Sequence, residues 1–184
     1  MKKTIAAIII LFLPLMHLTG QKPSFSKGDK AFNLGIGVGS NLFSGTYYIP
    51  MLPPFSASIE TGIKDHILEK GVLAAGVFGA FSSYKFRYSN NGWKTSEVII
   101  GARGSFHYPF VDKLDTYTGL MAGYGIITNE FFGTYTEDDY TGSPDGFRWA
   151  WFAGARYYFL ETVAAFAEIG YGVSYLNAGI AFRF

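Results

Sequence analysis

Ser105 and His107, in Gly104-Ser-Phe-His-Tyr108, are the first candidates for chemistry. A serine becomes a nucleophile when a histidine takes its proton and a carboxylate orients that histidine. On a strand, however, residues two apart share a face without making the hydrogen bond that proton transfer needs. The pair therefore reads as interior polar residues, and no catalytic residue is assigned. His66, in "DHILEK", falls in a turn. Glu137, Asp138, Asp139 and Asp145 crowd the stretch "TEDDYTGSPDG". Carboxylates at that density could hold a divalent cation, but their spacing does not match the EF-hand loop. A solvated acidic loop is expected, with no metal ligand assigned. "GIGVGS" is glycine-rich, yet it lacks GxGxxG spacing and no helix follows, so no dinucleotide and no other cofactor is expected.

Composition points to strands. Charged residues make up 16% of the 184 residues, against about 25% in soluble domains. Aromatics reach 18% and there are 23 glycines, too many for a helical protein, where each costs about 1 kcal/mol relative to alanine. The formal charge is +1 from 15 basic and 14 acidic residues; without Lys2 and Lys3 it is 13 − 14 = −1. That balance gives no support to nucleic-acid binding, which needs a basic patch, so no nucleic-acid partner is expected. The absence of cysteine excludes disulfides, thiol nucleophiles and cysteine-bound zinc.

Residues 1–20 have the form of a secretory signal peptide: Lys2 and Lys3, an apolar run from Ile5 to Leu15, and small or polar residues to Gly20. The run is too short to span about 30 Å of hydrocarbon. Residues 21–30 are polar and basic, a short periplasmic linker. From residue 31 the apolar pattern has a period of two. Phe32, Leu34, Ile36 and Val38 alternate with Asn33, Gly35, Gly37 and Gly39. Phe55, Ala57, Ile59 and Ile63 alternate with Ser56, Ser58, Glu60 and Gly62. Val98, Ile100, Ala102, Phe106 and Tyr108 alternate with Ile99, Gly101, Arg103, Ser105 and His107. Phe147, Trp149, Trp151 and Tyr157 alternate with Arg148, Ala150, Phe152, Gly154, Arg156 and Tyr158. Leu176, Ala178, Ile180, Phe182 and Phe184 alternate with Asn177, Gly179, Ala181 and Arg183. Strands are also expected near 71–86, 116–128 and 164–173, making eight. Connections at 41–54, 87–96 and 129–146 are long. "DHILEK", "PFVDKLD" and "LETV" are short, and a very short link is expected near Ser174 and Tyr175.

The second face decides between water and lipid. A soluble barrel would turn lysine, glutamate and threonine outward. Here that face is glycine, alanine and serine with isolated charges, which suits the converging interior of a narrow barrel. The apolar face must then point outward to lipid. Aromatics gather at two levels: Tyr108, Phe110, Tyr117, Tyr157, Phe159, Phe182 and Phe184 near the short turns, and Phe81, Tyr84, Phe86, Trp149 and Trp151 near the long loops. Paired belts of this kind mark membrane interfaces. The reading is all-β: an eight-stranded antiparallel up-and-down transmembrane β-barrel over residues 31–184.

At this point the chain resembles the small eight-stranded outer-membrane barrels of the OmpA/OmpX type. Asn177, Gly179, Phe182 and Phe184 resemble the C-terminal signal read by the barrel-assembly machinery during biogenesis. The resemblance implies export to the outer membrane of a Gram-negative bacterium, among lipid and lipopolysaccharide. A non-enzymatic role is expected: structural, surface contact, or binding of an extracellular partner through the long loops. An outer-membrane enzyme acting on lipid or peptide is the alternative, and a soluble lipocalin-like binder is a second. His107 falls at the periplasmic end, away from lipopolysaccharide. Finally, Glu168, Arg156 and Arg183 all face inward. Tight turns near 161–163 and 174–175 would let Glu168 bridge the two arginines in an interior ion network.

Overall fold

The computed structural model describes residues 25–39, 48–88, 91–132 and 144–184. The signal peptide expected at 1–20 and the acidic residues Glu137, Asp138 and Asp139 lie outside them. Eight strands run β1 (Lys30–Val38), β2 (Tyr48–Ile67), β3 (Gly71–Tyr88), β4 (Asn91–Val111), β5 (Leu114–Phe132), β6 (Gly146–Tyr158), β7 (Val163–Tyr171) and β8 (Leu176–Arg183). Each pairs with its sequence neighbour, and β8 pairs back onto β1 to close the barrel. Closure leaves no open edge at membrane depth, where an unpaired backbone group would cost several kcal/mol.

The pleat puts alternate side chains on opposite walls, and the alternation described above is the one observed. Leu34, Ile36, Val77, Ile100, Trp149, Tyr157 and Ile180 are exposed on the outer wall, while Asn33, Glu60, Arg103, His107 and Arg156 are buried inside. Three members of the expected aromatic belts, Tyr84, Phe86 and Tyr117, lie on the inner face of their strands. Tyr84 and Tyr117 are buried in the lumen. For Tyr117 the reason is register: it pairs with His107, which faces inward.

The connections also differ from expectation. β1, β7 and β8 have 9, 9 and 8 residues, about the length that spans a bilayer. β2 to β5 have 18 to 21 residues. Their surplus, roughly nine residues at about 3.3 Å each, rises on one side above the short strands. Most of the loop expected at 87–96 is ladder, with Arg87 paired to Gly92 and Tyr88 to Asn91. Likewise β2 begins at Tyr48, inside the loop expected at 41–54. Its prolines are tolerated because pairing with β1 ends at Phe55 and the register to β3 slips around Leu52. The very short fourth outer connection is four residues, 172–175. Gly172 takes φ +121°, and Gly170 N–H donates to the Tyr175 carbonyl at 3.0 Å.

Residues 25–29 are not a free linker. Phe25 is 1% exposed and enters the short-turn mouth of the lumen against Ala31, Val72 and Ala74. At the other end of the chain, Phe184 N–H donates to the Lys30 carbonyl at 3.0 Å, and Lys30 N–H donates to the Phe184 carbonyl at 2.9 Å. The chain's last residue thus extends the β8–β1 ladder by one more pair.

Candidate functional site: an ion cluster across the lumen

Three cross-strand relations build the site. Asp115 sits directly opposite Arg156 on β5 and β6. Gly76 of β3 stands between Glu60 of β2 and Arg103 of β4. Gly154 of β6 stands between Tyr117 of β5 and Glu168 of β7. The two glycines put no side chain into the lumen, so the groups on either side of them can meet.

Arg156 is fully buried and spans the lumen. Its Nε donates to Asn33 Oδ1 at 3.0 Å, its Nη1 to Asp115 Oδ2 at 2.9 Å, and its Nη2 to Glu60 Oε1. Asn33 in turn donates to Ser58 Oγ at 3.0 Å. The guanidinium lies 4.5 Å from the Tyr117 ring centre. Arg103 Nη2 donates to Glu168 Oε1 at 2.5 Å, and Tyr117 Oη donates to the same oxygen at 2.9 Å. Arg103 also stacks on Phe152, 3.7 Å from the ring centre, with its Nε 3.6 Å from Glu60 Oε2.

The predicted bridge from Glu168 to Arg156 and Arg183 is therefore corrected. Glu168 and Arg156 are both buried inside, but each has other partners. Glu168 pairs with Gly154 rather than with Arg156, two residues away from the assumed register. On the other side it pairs with Asn177, while Arg183 N–H reaches the Thr162 carbonyl. Six residues of strand, about 20 Å, separate Glu168 from that level. Arg183 instead donates to the Glu161 carbonyl at 2.7 Å and lies over the Tyr158 ring. Among the expected signal residues, Asn177 exchanges hydrogen bonds with Ser56 at 2.9 and 3.3 Å. Gly179 and Gly35 pair and leave room for the Phe166 ring; a Cβ on Gly179 would lie 1.9 Å from the Leu34 carbonyl oxygen. Phe182 and Phe184 face outward and exposed.

Ser105 and His107 do meet, contrary to the expectation from spacing. Ser105 Oγ is 2.9 Å from His107 Nε2, and His107 Nδ1 is 2.9 and 3.1 Å from the two oxygens of Asp115. The connectivity is that of an acid, a base and a hydroxyl, but the protons run the wrong way. The Ser105 hydroxyl donates its one hydrogen to Glu60 Oε2 at 2.6 Å. Its oxygen must then accept from Nε2, and Nδ1 must donate to Asp115, so both ring nitrogens carry protons. A general base needs a free lone pair on Nε2. With His107 an imidazolium, the cluster holds three carboxylates (Glu60, Asp115, Glu168) and three cations (Arg103, Arg156, His107), and it is neutral. All six are buried.

Above this cluster an apolar layer crosses the lumen, with Phe78, Ile99, Met121, Ala150, Phe152 and Val173 packed together. Above that, Arg148 Nε donates to Glu97 Oε1 at 2.6 Å. A cavity of about 30 Å³, lined in part by Arg103, Glu168, Ser56 and Asn177, lies beside the apolar layer. That is room for about a water or two. Among the described residues no group of three or more acidic or histidine side chains is placed to hold a metal ion. Asp145, from the acidic stretch, accepts from Ile127 N–H at 2.6 Å and so ties the start of β6 to β5.

A closed ring of eight antiparallel strands, apolar outside and filled inside by a polar cluster and an apolar layer, defines the class: this is an eight-stranded outer-membrane β-barrel fold. No family model matches the chain, and no curated protein matches it in sequence. Solved structures are similar to it in three dimensions. OprG, an outer membrane protein of Pseudomonas aeruginosa, is similar with a TM-score of 0.50 at 9% identity, over 89% of this chain and 99% of that one. Ail, the attachment invasion locus protein of Yersinia pestis, is similar with a TM-score of 0.46 at 15% identity, over 86% of this chain and 99% of that one. At 9% identity the likeness to OprG is one of fold.

Proposed function

We propose that the protein is a non-enzymatic barrel of the Gram-negative outer membrane, with a structural, surface-contact or loop-mediated binding role in the envelope. The observation that carries this reading is the filled lumen. The Phe25 ring, a neutral ion cluster and an apolar layer occupy it in succession, which supports neither a diffusion pore nor a ligand cavity of lipocalin type. The outer wall, apolar with aromatics near both ends, supports residence among lipid and lipopolysaccharide. The work is then left to the segments at the long-loop end, where β2 to β5 stand above the rest and an extracellular partner could be met. Cell fractionation tests the location: the mature chain is expected with the outer membrane, and recovery from the periplasm would overturn the reading. In planar bilayers the purified barrel is expected to give no stepped conductance.

The second reading is an outer-membrane enzyme, favoured by the Asp115–His107–Ser105 chain of contacts. Against it stand the committed Ser105 proton and the burial of all three groups. The folded barrel incubated with labelled lipid A or phospholipid is expected to release no product. Release that disappears in Ser105→Ala would establish the enzyme instead.

Asn177, Gly179, Phe182 and Phe184 are proposed to act as the signal for the barrel-assembly machinery. Deleting Phe184 removes two backbone hydrogen bonds to Lys30, worth about 1 kcal/mol each. Stability of the refolded protein is thus expected to fall by no more than about 2 kcal/mol, while its level in the outer membrane of cells falls severalfold. Normal levels in cells would remove the signal reading.

A further inference from the structure

We propose that residues 25–29 form a pH-sensitive latch on the short-turn mouth of the barrel, held closed by the stacking of Phe25 on a protonated His107. The two rings lie 4.4 Å apart between centres and 25° from parallel. Phe25 is buried among Ala31, Val72 and Ala74. Behind it the chain makes a tight turn: Asp29 N–H donates to the Ser26 carbonyl at 3.1 Å, and Ser26 N–H donates to Asp29 Oδ2 at 2.9 Å. The turn is fastened to the wall at one residue. Gly28 N–H donates to the Gly62 carbonyl at 2.9 Å, and Gly62 N–H to the Asp29 carbonyl at 3.0 Å. Gly62 is required there, because a Cβ on it would lie 2.3 Å from the Ser26 carbonyl oxygen.

The charge on His107 follows from its surroundings on every side. β5 presents Asp115 at 2.9 Å and the Tyr117 ring at 5.1 Å. β2 presents Glu60, whose Oε1 is 3.7 Å from Nε2. Its own strand presents Ser105 at 2.9 Å, and Arg103 beside Glu60. β6 presents Arg156, bound to the same two carboxylates, Glu60 and Asp115. β3 presents Val72, which pairs with His107 and carries no charge. β7 presents Glu168, held by Arg103 and Tyr117. The N-terminal segment adds Asp29 at the mouth. Hydrogen-bond counting puts a proton on both ring nitrogens, and that proton makes the cluster neutral.

Removing that proton changes two things at once. The cluster is left with one uncompensated negative charge, and the Phe25 ring loses the stacked imidazolium and keeps only the more distant Arg156 guanidinium, 6.0 Å from its centre. β4 and β5 are held by a long continuous ladder, whereas residues 25–29 are held by the Phe25 contact and the Gly62 bonds. The segment is therefore the part that yields. The latch is closed while His107 is charged and loosens as alkali takes the proton.

The test uses the folded barrel in nanodiscs, with ¹⁵N-labelled histidine. At pH 7 both His107 nitrogens are expected to show imidazolium shifts. Amide exchange at Gly28 and Gly62, corrected for the intrinsic pH dependence, should accelerate about 30-fold as His107 titrates, the factor equivalent to losing a buried cation–π contact of about 2 kcal/mol. Exchange at Arg103 and Met121 should not change. In Phe25→Leu, which keeps an apolar side chain but no ring face, the step at Gly28 and Gly62 should vanish while the barrel stays folded. An unprotonated Nε2 at pH 7, protection without a step, or the same step in Phe25→Leu would each overturn the latch.

Discussion

Replacing Arg156 with methionine is expected to lower the unfolding free energy of the barrel by about 3–5 kcal/mol, as measured by urea titration in lipid vesicles with tryptophan fluorescence. Folded domains hold about 5–15 kcal/mol in total, so this is a large share. Arg156 has the largest fully buried side chain among the described residues, and its three bonds run to three different strands: Asn33 on β1, Asp115 on β5 and Glu60 on β2. Methionine fills much of the volume and donates nothing. Glu60 and Asp115 would then share His107 and a distant edge of Arg103, and the cluster would carry a net charge of −1 in a lumen closed by Phe25 below and the Phe152 layer above. Arg156→Lys keeps the charge but replaces a planar fork with a point charge, which cannot serve acceptors in three directions. It is expected to recover only part of the loss. If Arg156→Met unfolds within about 1 kcal/mol of the parent, the charges reach water and the lumen is not sealed in the sense used here.

Much of this arrangement is legible in the sequence, and the part that is not has one physical cause. Alternation assigns each residue to a wall, because the pleat has a period of two. It therefore places Glu60, Arg103, His107, Arg156 and Glu168 inside. But a period of two is blind to a register shift of two. Sliding β7 against β6 by that amount keeps every side chain on its wall and exchanges every partner. That shift separates the predicted Glu168–Arg156 pair from the observed Gly154–Glu168 rung. Cross-lumen contacts are a second blind spot. Arg156 and Glu60 lie on β6 and β2, four strands apart around the ring, and no local pattern relates them. Asp115 reads as part of a turn because β5 begins only one residue before it, at Leu114. Phe25 has a signal of its own: it is the one aromatic in "QKPSFSKGDK", where a free linker has no need of a ring.

The pair Arg103–Glu168 is expected to behave differently from Arg156, because it can be removed whole. Arg103→Met leaves Glu168 with only the Tyr117 hydroxyl, and the cluster at −1. Glu168→Met leaves Arg103 with Glu60 at 3.6 Å and the Phe152 ring, and the cluster at +1. Each single change strands a buried charge and should cost about 3–5 kcal/mol. The double change restores balance, since Glu60 and Asp115 then face Arg156 and His107. It also extends the apolar layer of Phe78, Ile99, Met121 and Phe152, which already borders both side chains. What remains is the lost acceptor of Tyr117, about 1–3 kcal/mol. The double variant should thus be more stable than either single one, with a coupling of at least about 2 kcal/mol in the cycle. Losses that simply add would mean that the two side chains act independently. The neutral six-charge cluster would then not be the unit that closes the lumen.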